Sequence, residues 1–200
     1  MQSSLITEPF HYHIVKDVYE EEELSFIWEE IDSFHDKNLF LPPSETGSAS
    51  TDEGLLLKRN SGLWPREIYD TMEESPILTL SQKLVSKQII NHPSSWFFRD
   101  VKWNQDSTLI SYYDHGDYYK VHNDTCYVTI CTWLFKEPKK FSGGNFHFPD
   151  YNIRIQPVNN AAVVFPGNIR HSVDKLILNE SDRNKGLGRY CFSQFISVGL

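Results

Sequence analysis

The second half of this chain has a texture that few architectures can accommodate. From Trp96 onward, short runs rich in β-branched and aromatic residues alternate with turn-forming clusters. The runs are Trp96–Trp103, Thr108–Tyr113, Tyr118–His122, Cys126–Phe135, Gly144–Phe148, Asn152–Gln156, Ala161–Phe165, Arg170–Val173 and Arg189–Val198. The breaks carry Asn-Gln-Asp, Asp-His-Gly-Asp, Glu-Pro-Lys-Lys, Pro-Asp-Tyr and Pro-Gly-Asn. Such residues favour turns because Gly and Asn accept positive φ and Pro presets its own. Strands of this length and spacing bury one face only in a sandwich or barrel. The first half reads differently. Phe10–Val18 has strand composition, and Leu24, Ile27, Trp28, Ile31 and Phe34 then recur on one helical face. The acidic run Glu20–Glu23 suits the positive end of that helix. Further helices are predicted over Pro65–Met72 and after Ser75-Pro76, where Ser75 is a natural cap and Ile77, Leu80 and Leu84 form a stripe. Helices first and strands afterwards exclude a βαβ series. The expected fold is α+β, mainly β: a double-stranded β-helix (jelly roll) with N-terminal helices packed on one sheet. Residues 1–200 read as one domain, with 1–95 as helical support and loop and 96–200 as the jelly-roll core.

Between those halves lies Leu41–Gly62, polar and without period, containing Pro42-Pro43-Ser44-Glu45-Thr46-Gly47-Ser48-Ala49-Ser50. A loop of that length is either a lid or disordered. Nineteen basic residues against twenty-seven acidic ones give a net charge of −8, which argues against sequence-independent binding of phosphate backbones. Three scattered cysteines, Cys126, Cys131 and Cys191, do not make a disulfide framework and read as buried thiols of a reducing compartment. The N-terminus lacks the basic and apolar regions of a signal peptide, and no apolar run is long enough to span a bilayer. The expectation is a soluble, cytoplasmic protein with no membrane partner and no nucleic-acid partner.

Two His-x-Asp pairs occur, His115-Gly116-Asp117 and His122-Asn123-Asp124. Residues i and i+2 of a strand share a face and can reach one metal together. His122 ends the strand-like run Tyr118–His122, whereas His115 and Asp117 sit in a turn composition that leaves side-chain direction open. His122 and Asp124 are therefore the preferred pair. His171, at the head of a short strand after Pro166-Gly-Asn-Ile-Arg, is the candidate third ligand. Two histidines and one carboxylate leave open positions on a metal, the arrangement that suits non-haem Fe(II). His11, His13, His35, His92 and His115 read as surface or structural, and His147 is undecided between pocket and solvent. Arg189 opens Arg-Tyr-Cys-Phe-Ser-Gln-Phe, whose alternation puts Arg189, Cys191 and Ser193 on one face. A guanidinium there suits a carboxylate, with a neighbouring hydroxyl adding a bond.

In order, Tyr113-x-x-Gly116-x-x-Tyr119-x-x-His122-x-Asp124, then Gly143-Gly144-x-x-x-Phe148-Pro149, then Pro157–Phe165, His171 and Arg189, resemble the Fe(II)/2-oxoglutarate dioxygenases, specifically the prolyl 4-hydroxylase-like branch. The resemblance covers residues 100–197, with Phe10–Phe34 similar to that family's opening strand and helix. It implies Fe(II) held by His122, Asp124 and His171. It implies 2-oxoglutarate held by Tyr113, Arg189 and Ser193, with Trp133 lining its pocket and ascorbate as accessory reductant. It implies hydroxylation of prolyl residues in a peptide or protein. Free proline or another small molecule, demethylation of nucleic acid by the same fold, and a non-catalytic metal-binding jelly roll are the alternatives. The interval between His171 and Arg189 is longer than in relatives, so Lys175 and Arg183 remain rival cations for the co-substrate.

Overall fold

Along the central strands, odd- and even-numbered side chains go to opposite faces, and both faces are buried. The computed structural model describes residues 1–47, 50–51 and 53–199. Its strands are β1 (Gln2–Ile6), β2 (Tyr12–Lys16), β3 (Ser61–Leu63), β4 (Gln105–Tyr113), β5 (Tyr119–His122), β6 (Val128–Leu134), β7 (Phe141–Gly143), β8 (Phe146–Phe148), β9 (Ile153–Ile155), β10 (Ala161–Pro166), β11 (His171–Val173), β12 (Leu176–Leu178) and β13 (Arg189–Ser197). Its α-helices are α1 (Glu21–Asp36) and α2 (Pro76–Ser81). Seven strands form the large sheet in the order β1-β2-β10-β6-β13-β4-β3, and β5-β11-β8-β9 form the small one. A ribbon of β12 and β7 lies beside them.

On the outer face of the large sheet, Ile110, Ile130, Leu134, Val164, Tyr190 and Phe192 pack with Ile27, Ile31 and Phe34 of α1 and Ile77 of α2. On the inner face, Cys131, Trp133, Val163, Phe165 and Cys191 meet Phe146, Phe148 and Val173 of the small sheet. This is the mainly β jelly roll with helices on one sheet that the sequence predicts. α1 is held at its start by reciprocal capping, in which the Glu20 N–H donates to the Glu23 carboxylate at 2.8 Å. α2 begins as expected, with the Leu78 N–H on the Ser75 hydroxyl at 3.1 Å and Pro76 in the first turn.

Some local expectations are overturned. Trp96–Trp103 is a series of turns, not a strand. The Ser95 hydroxyl accepts from the Phe98 N–H and bonds the His11 ring, so this segment folds on itself and plugs Phe98 into the outer core. Pro65–Met72 forms no α-helix, only a 3-10 turn over Pro65–Glu67 and the start of another over Met72–Glu74. The described residues of the Leu41–Gly62 stretch are not a free loop: Pro43–Glu45 makes a 3-10 turn. Leu41 bridges Gly62, Ser50 bridges Leu56, Lys58 bridges Tyr119, and β3 continues the large sheet. Ser48, Ala49 and Asp52 of that stretch lie outside the described residues. β1, β3, β7 and β12 escape the sequence patterns because each is short or polar. The N-terminal half thus supplies three strands of the large sheet as well as its helical cover.

His13 on β2 is fully buried, its Nδ1 near the Ser3 hydroxyl at 3.1 Å and its Nε2 without a partner. Burial, reinforced by His92 and His11, pushes its pKa down to about 4. An unfolded histidine protonates near 6.5, so below that pH the unfolded chain takes up a proton that folded His13 refuses. Its contribution to stability is intact above about 6.5 and is lost as pH falls towards 4, by up to about 3 kcal/mol. Urea unfolding of His13→Gln at pH 7 and pH 4 is expected to show a smaller acid loss than the parent. Equal losses would exclude His13 as the sensitive group.

Candidate metal centre

Antiparallel pairing of β5 with β11 sets His122 directly opposite His171, with ring centroids 4.2 Å apart. Asp124 follows two residues after His122 and is tethered through its N–H to the Gly167 carbonyl at 2.8 Å. Ligand atoms of His122, Asp124 and His171 all lie within 4.8 Å of one another. The His171 Nε2 is 3.6 Å from one Asp124 oxygen and the His122 Nε2 is 3.9 Å from the other. Each imidazole donates its Nδ1–H to a backbone carbonyl, His122 to Lys120 at 2.9 Å and His171 to Ile169 at 3.0 Å. A carbonyl only accepts, so both Nε2 atoms are left with free lone pairs turned towards the carboxylate.

The surroundings keep these rings neutral. Burial, with His171 adding its own effect, pushes the His122 pKa down to about 4, and burial does the same for His171. Burial raises the Asp124 carboxyl, while the Thr129 hydroxyl, donating at 2.5 Å, and His122 draw it back. Packing fixes the ring planes. His122 stacks on Tyr119 at 3.6 Å, and His171 is wedged between Phe146 and Phe165. Among the described residues no further Cys, His, Asp or Glu joins the group. A two-histidine, one-carboxylate set with open positions fits Fe(II) chemistry better than a closed structural zinc site.

The group opens into a cavity of about 850 Å³ between the sheets. Its walls include Tyr113, Cys191 and Ser193 from the inner faces of β4 and β13, Phe146 and Val173 from the small sheet, and Lys58, Thr46 and Trp64 from the N-terminal half. Arg189 and Trp133 are buried behind this lining rather than on it. The Arg189 guanidinium lies 4.5 Å from the Tyr113 ring centroid and donates Nη1–H to the Gly144 carbonyl at 2.5 Å. Among the described residues its Nε and Nη2 have no acceptor, and neither has the Trp133 Nε1. Buried donors left without acceptors are costly, and a carboxylate would satisfy a guanidinium's fork. The donor set therefore fits a dicarboxylic co-substrate.

The other expected residues lie elsewhere. His115 and Asp117 line a second cleft with Arg59 and Arg183, where His115 Nδ1 accepts from the Leu178 N–H and Asp117 accepts from the Asp114 N–H. Lys175 is exposed. His147 points away from the cavity to Asp174, 2.9 Å from its carboxylate. Sequence reasoning missed Lys58 and Thr46 as cavity residues. Both lie in the Leu41–Gly62 stretch, which has no periodicity to place them.

No family model matches the chain. A PKHD-type hydroxylase from Synechocystis sp., itself uncharacterized, is 27% identical over an 84-residue alignment that covers 32% of this chain and 28% of that one. The match thus spans less than a third of that relative. Solved structures align over nearly the whole chain. A Pseudomonas putida prolyl-4-hydroxylase superposes with a TM-score of 0.58 at 13% identity, covering 94% of this chain and 93% of that one. A Trichoplax adhaerens prolyl hydroxylase, solved with a hypoxia inducible factor peptide fragment, gives 0.64 at 10% identity, covering 93% and 83%. The viral collagen prolyl hydroxylase of Paramecium Bursaria Chlorella virus-1, in its 2OG complex, gives 0.55 at 15% identity, covering 97% and 99%. With two sheets enclosing a His-Asp-His group beneath a helical cover, this chain has the fold of the prolyl 4-hydroxylase-like 2-oxoglutarate–Fe(II) oxygenases.

Proposed function

We propose that the protein is an Fe(II)/2-oxoglutarate-dependent hydroxylase. The observation that carries this reading is the convergence of His122, Asp124 and His171 on one point at the wall of a cavity whose floor hides unpaired donors. His122 and His171 would bind iron through Nε2, and Asp124 through its carboxylate. Tyr113, Ser193 and Arg189 would hold 2-oxoglutarate, with Trp133 supplying an indole N–H. When bound, the iron and the oxo acid supply the oxidising chemistry: dioxygen converts 2-oxoglutarate to succinate and carbon dioxide and places one oxygen atom in a substrate C–H bond.

The chain's own residues hold this arrangement still. The carbonyls of Lys120 and Ile169 fix both imidazole tautomers, so no proton must leave before metal binds. Phe146, Phe165 and Tyr119 lock the rings and keep water from one side of the group. The substrate we favour is a prolyl residue of a peptide, as in the Trichoplax enzyme's complex. Free proline or another small molecule is the second reading. Ascorbate is the expected reductant. Three unpaired cysteines support a cytoplasmic site of action. Among the described residues no helix is long and apolar enough to cross a membrane. We read residues 1–200 as one catalytic domain.

The test is co-substrate consumption without any prime substrate. Protein supplied with Fe(II), ascorbate and 2-oxoglutarate is expected to release succinate slowly and in step with the oxo acid consumed. No release above that of the metal and ascorbate alone would overturn the proposal.

A further inference from the structure

Lys58 is only 4% exposed, yet it lines the metal-side cavity. It donates to the Thr46 carbonyl and, at 2.9 Å, to the Thr46 hydroxyl. Both acceptors are neutral, and among the described residues no carboxylate reaches it. A buried ammonium is normally paired, because neutral acceptors offset only part of the solvation it loses. Burial accordingly pushes its pKa down to about 8. Its location is specific: Nζ stands 5.9 Å from the Tyr119 ring centroid, and that ring stacks at 3.6 Å on His122. The ammonium is therefore no farther from the His122 ring than those two spacings laid end to end, a reach suited to a small molecule bound at the metal.

Among the described residues, the rest of the cavity wall offers an anion no competing partner. The other cation on it, Arg170, is already engaged by Asp150 at an exposed rim. Among the described residues on it, the one that is acidic is Asp124 of the metal group. Ser107, Ser111, Ser193 and Ser197 supply hydroxyls without charge.

We infer that Lys58 is a specificity-determining residue that pairs with a carboxylate of the prime substrate, so the enzyme selects carboxylate-bearing substrates over their neutral counterparts. This rests on the hydroxylase reading and sharpens it. The carboxylate belongs either to a free or N-acylated amino acid or to an acidic side chain of a peptide. Either source meets the same ammonium.

The experiment measures substrate-stimulated succinate release by the Fe(II)- and 2-oxoglutarate-supplied enzyme. The probes are matched pairs, each acid beside its primary amide: amino acids including proline, N-acetyl amino acids, and capped prolyl peptides with Asp or Glu beside their Asn or Gln forms. The expected result is stimulation confined to acids, with kcat/KM roughly 10- to 100-fold above the paired amide. The chemical set in which the active acids fall identifies the source. In Lys58→Met the acid-to-amide ratio should collapse towards one, and Lys58→Arg should restore it. The ratio is internal to each variant, so a change in active fraction does not mimic the effect. If Lys58→Met does not fold, the ratio in the parent enzyme still decides. Acids and amides used alike, amides alone active, no active acid in any pair, or an unchanged ratio in Lys58→Met would each overturn the inference. Basal succinate release in the same assay shows separately whether the hydroxylase reading itself holds.

Discussion

Asp124→Ala is expected to leave the protein unable to retain Fe(II) and to lower 2-oxoglutarate turnover by at least about 100-fold, the upper range for losing a mere supporting partner of a metal ligand. Asp124 is the only anion in the group, so its removal leaves two neutral imidazoles to hold a divalent cation. The same change should leave the fold intact. The carboxyl is half-buried, and its lost solvation already disfavours the charged form, so beyond the Thr129 hydrogen bond the metal-free protein gives up little stability when it is removed. Iron content after desalting, read beside thermal unfolding of the metal-free protein, separates these outcomes. A companion variant, His115→Ala, should keep its iron, because that ring faces the second cleft and accepts from the Leu178 N–H. Iron retained in Asp124→Ala but lost in His115→Ala would assign the metal to the other His-x-Asp pair.

The second large effect is expected at Arg189. Arg189→Ala should raise the KM for 2-oxoglutarate by roughly 100-fold or more, since two charge-assisted hydrogen bonds at about 1.5–3 kcal/mol each would be forfeited. Arg189→Lys should fall between the two, because an ammonium keeps the charge but not the fork. Lys175→Ala and Arg183→Ala should change that KM by no more than about twofold, as expected of surface positions away from the site. Lys175 is exposed and Arg183 lines the second cleft, whereas Arg189 lies under the Tyr113 ring with two unpaired donors. Co-substrate titrations of the three alanine variants make the comparison. A normal KM in Arg189→Ala, or a large rise in either of the others, would reassign the carboxylate partner.

Much of this site was legible because strand parity is a strong rule. Once Arg189–Val198 is read as a strand, Arg189, Cys191 and Ser193 must share a face, and the structure puts Cys191 and Ser193 on the cavity wall with Arg189 just behind it. The two His-x-Asp pairs differ as expected in that His122 ends a strand and His115 sits in a turn, but Asp124 lies beyond that strand and is placed by its N–H on the Gly167 carbonyl rather than by parity. The helix α1 was legible from its apolar stripe, and α2 from Ser75 and Pro76. What stayed hidden depends on partners distant in sequence. Ser61-Gly-Leu is a strand only because the end of β4 offers it an edge. Lys58 in a polar stretch reads as solvated, and its burial follows from a bridge to Tyr119 some sixty residues away. Trp96–Trp103 has the composition of a strand, but the Ser95 hydroxyl and the burial of Phe98 bind it into turns.

The long interval between His171 and Arg189 takes its meaning from how it is fastened. β12 pairs with β7 near its start, and Gly188 at its end lies so close to β4 that a Cβ there would stand 1.9 Å from the Tyr113 carbonyl oxygen. Between these two moorings the backbone makes an excursion tied down at two points, the Asn184 N–H on the Asp114 carboxylate and the Gly186 carbonyl on the Tyr190 hydroxyl. Extra length inserted clear of those contacts costs only loop-closure entropy, about 0.6 kcal/mol per doubling. A single residue gained inside Arg189–Ser197 would instead turn Cys191 and Ser193 towards the helices and Tyr190 and Phe192 towards the metal. Homologous chains can therefore drift freely in length ahead of this arginine, and the spacing from the distal histidine is a poor ruler for finding it.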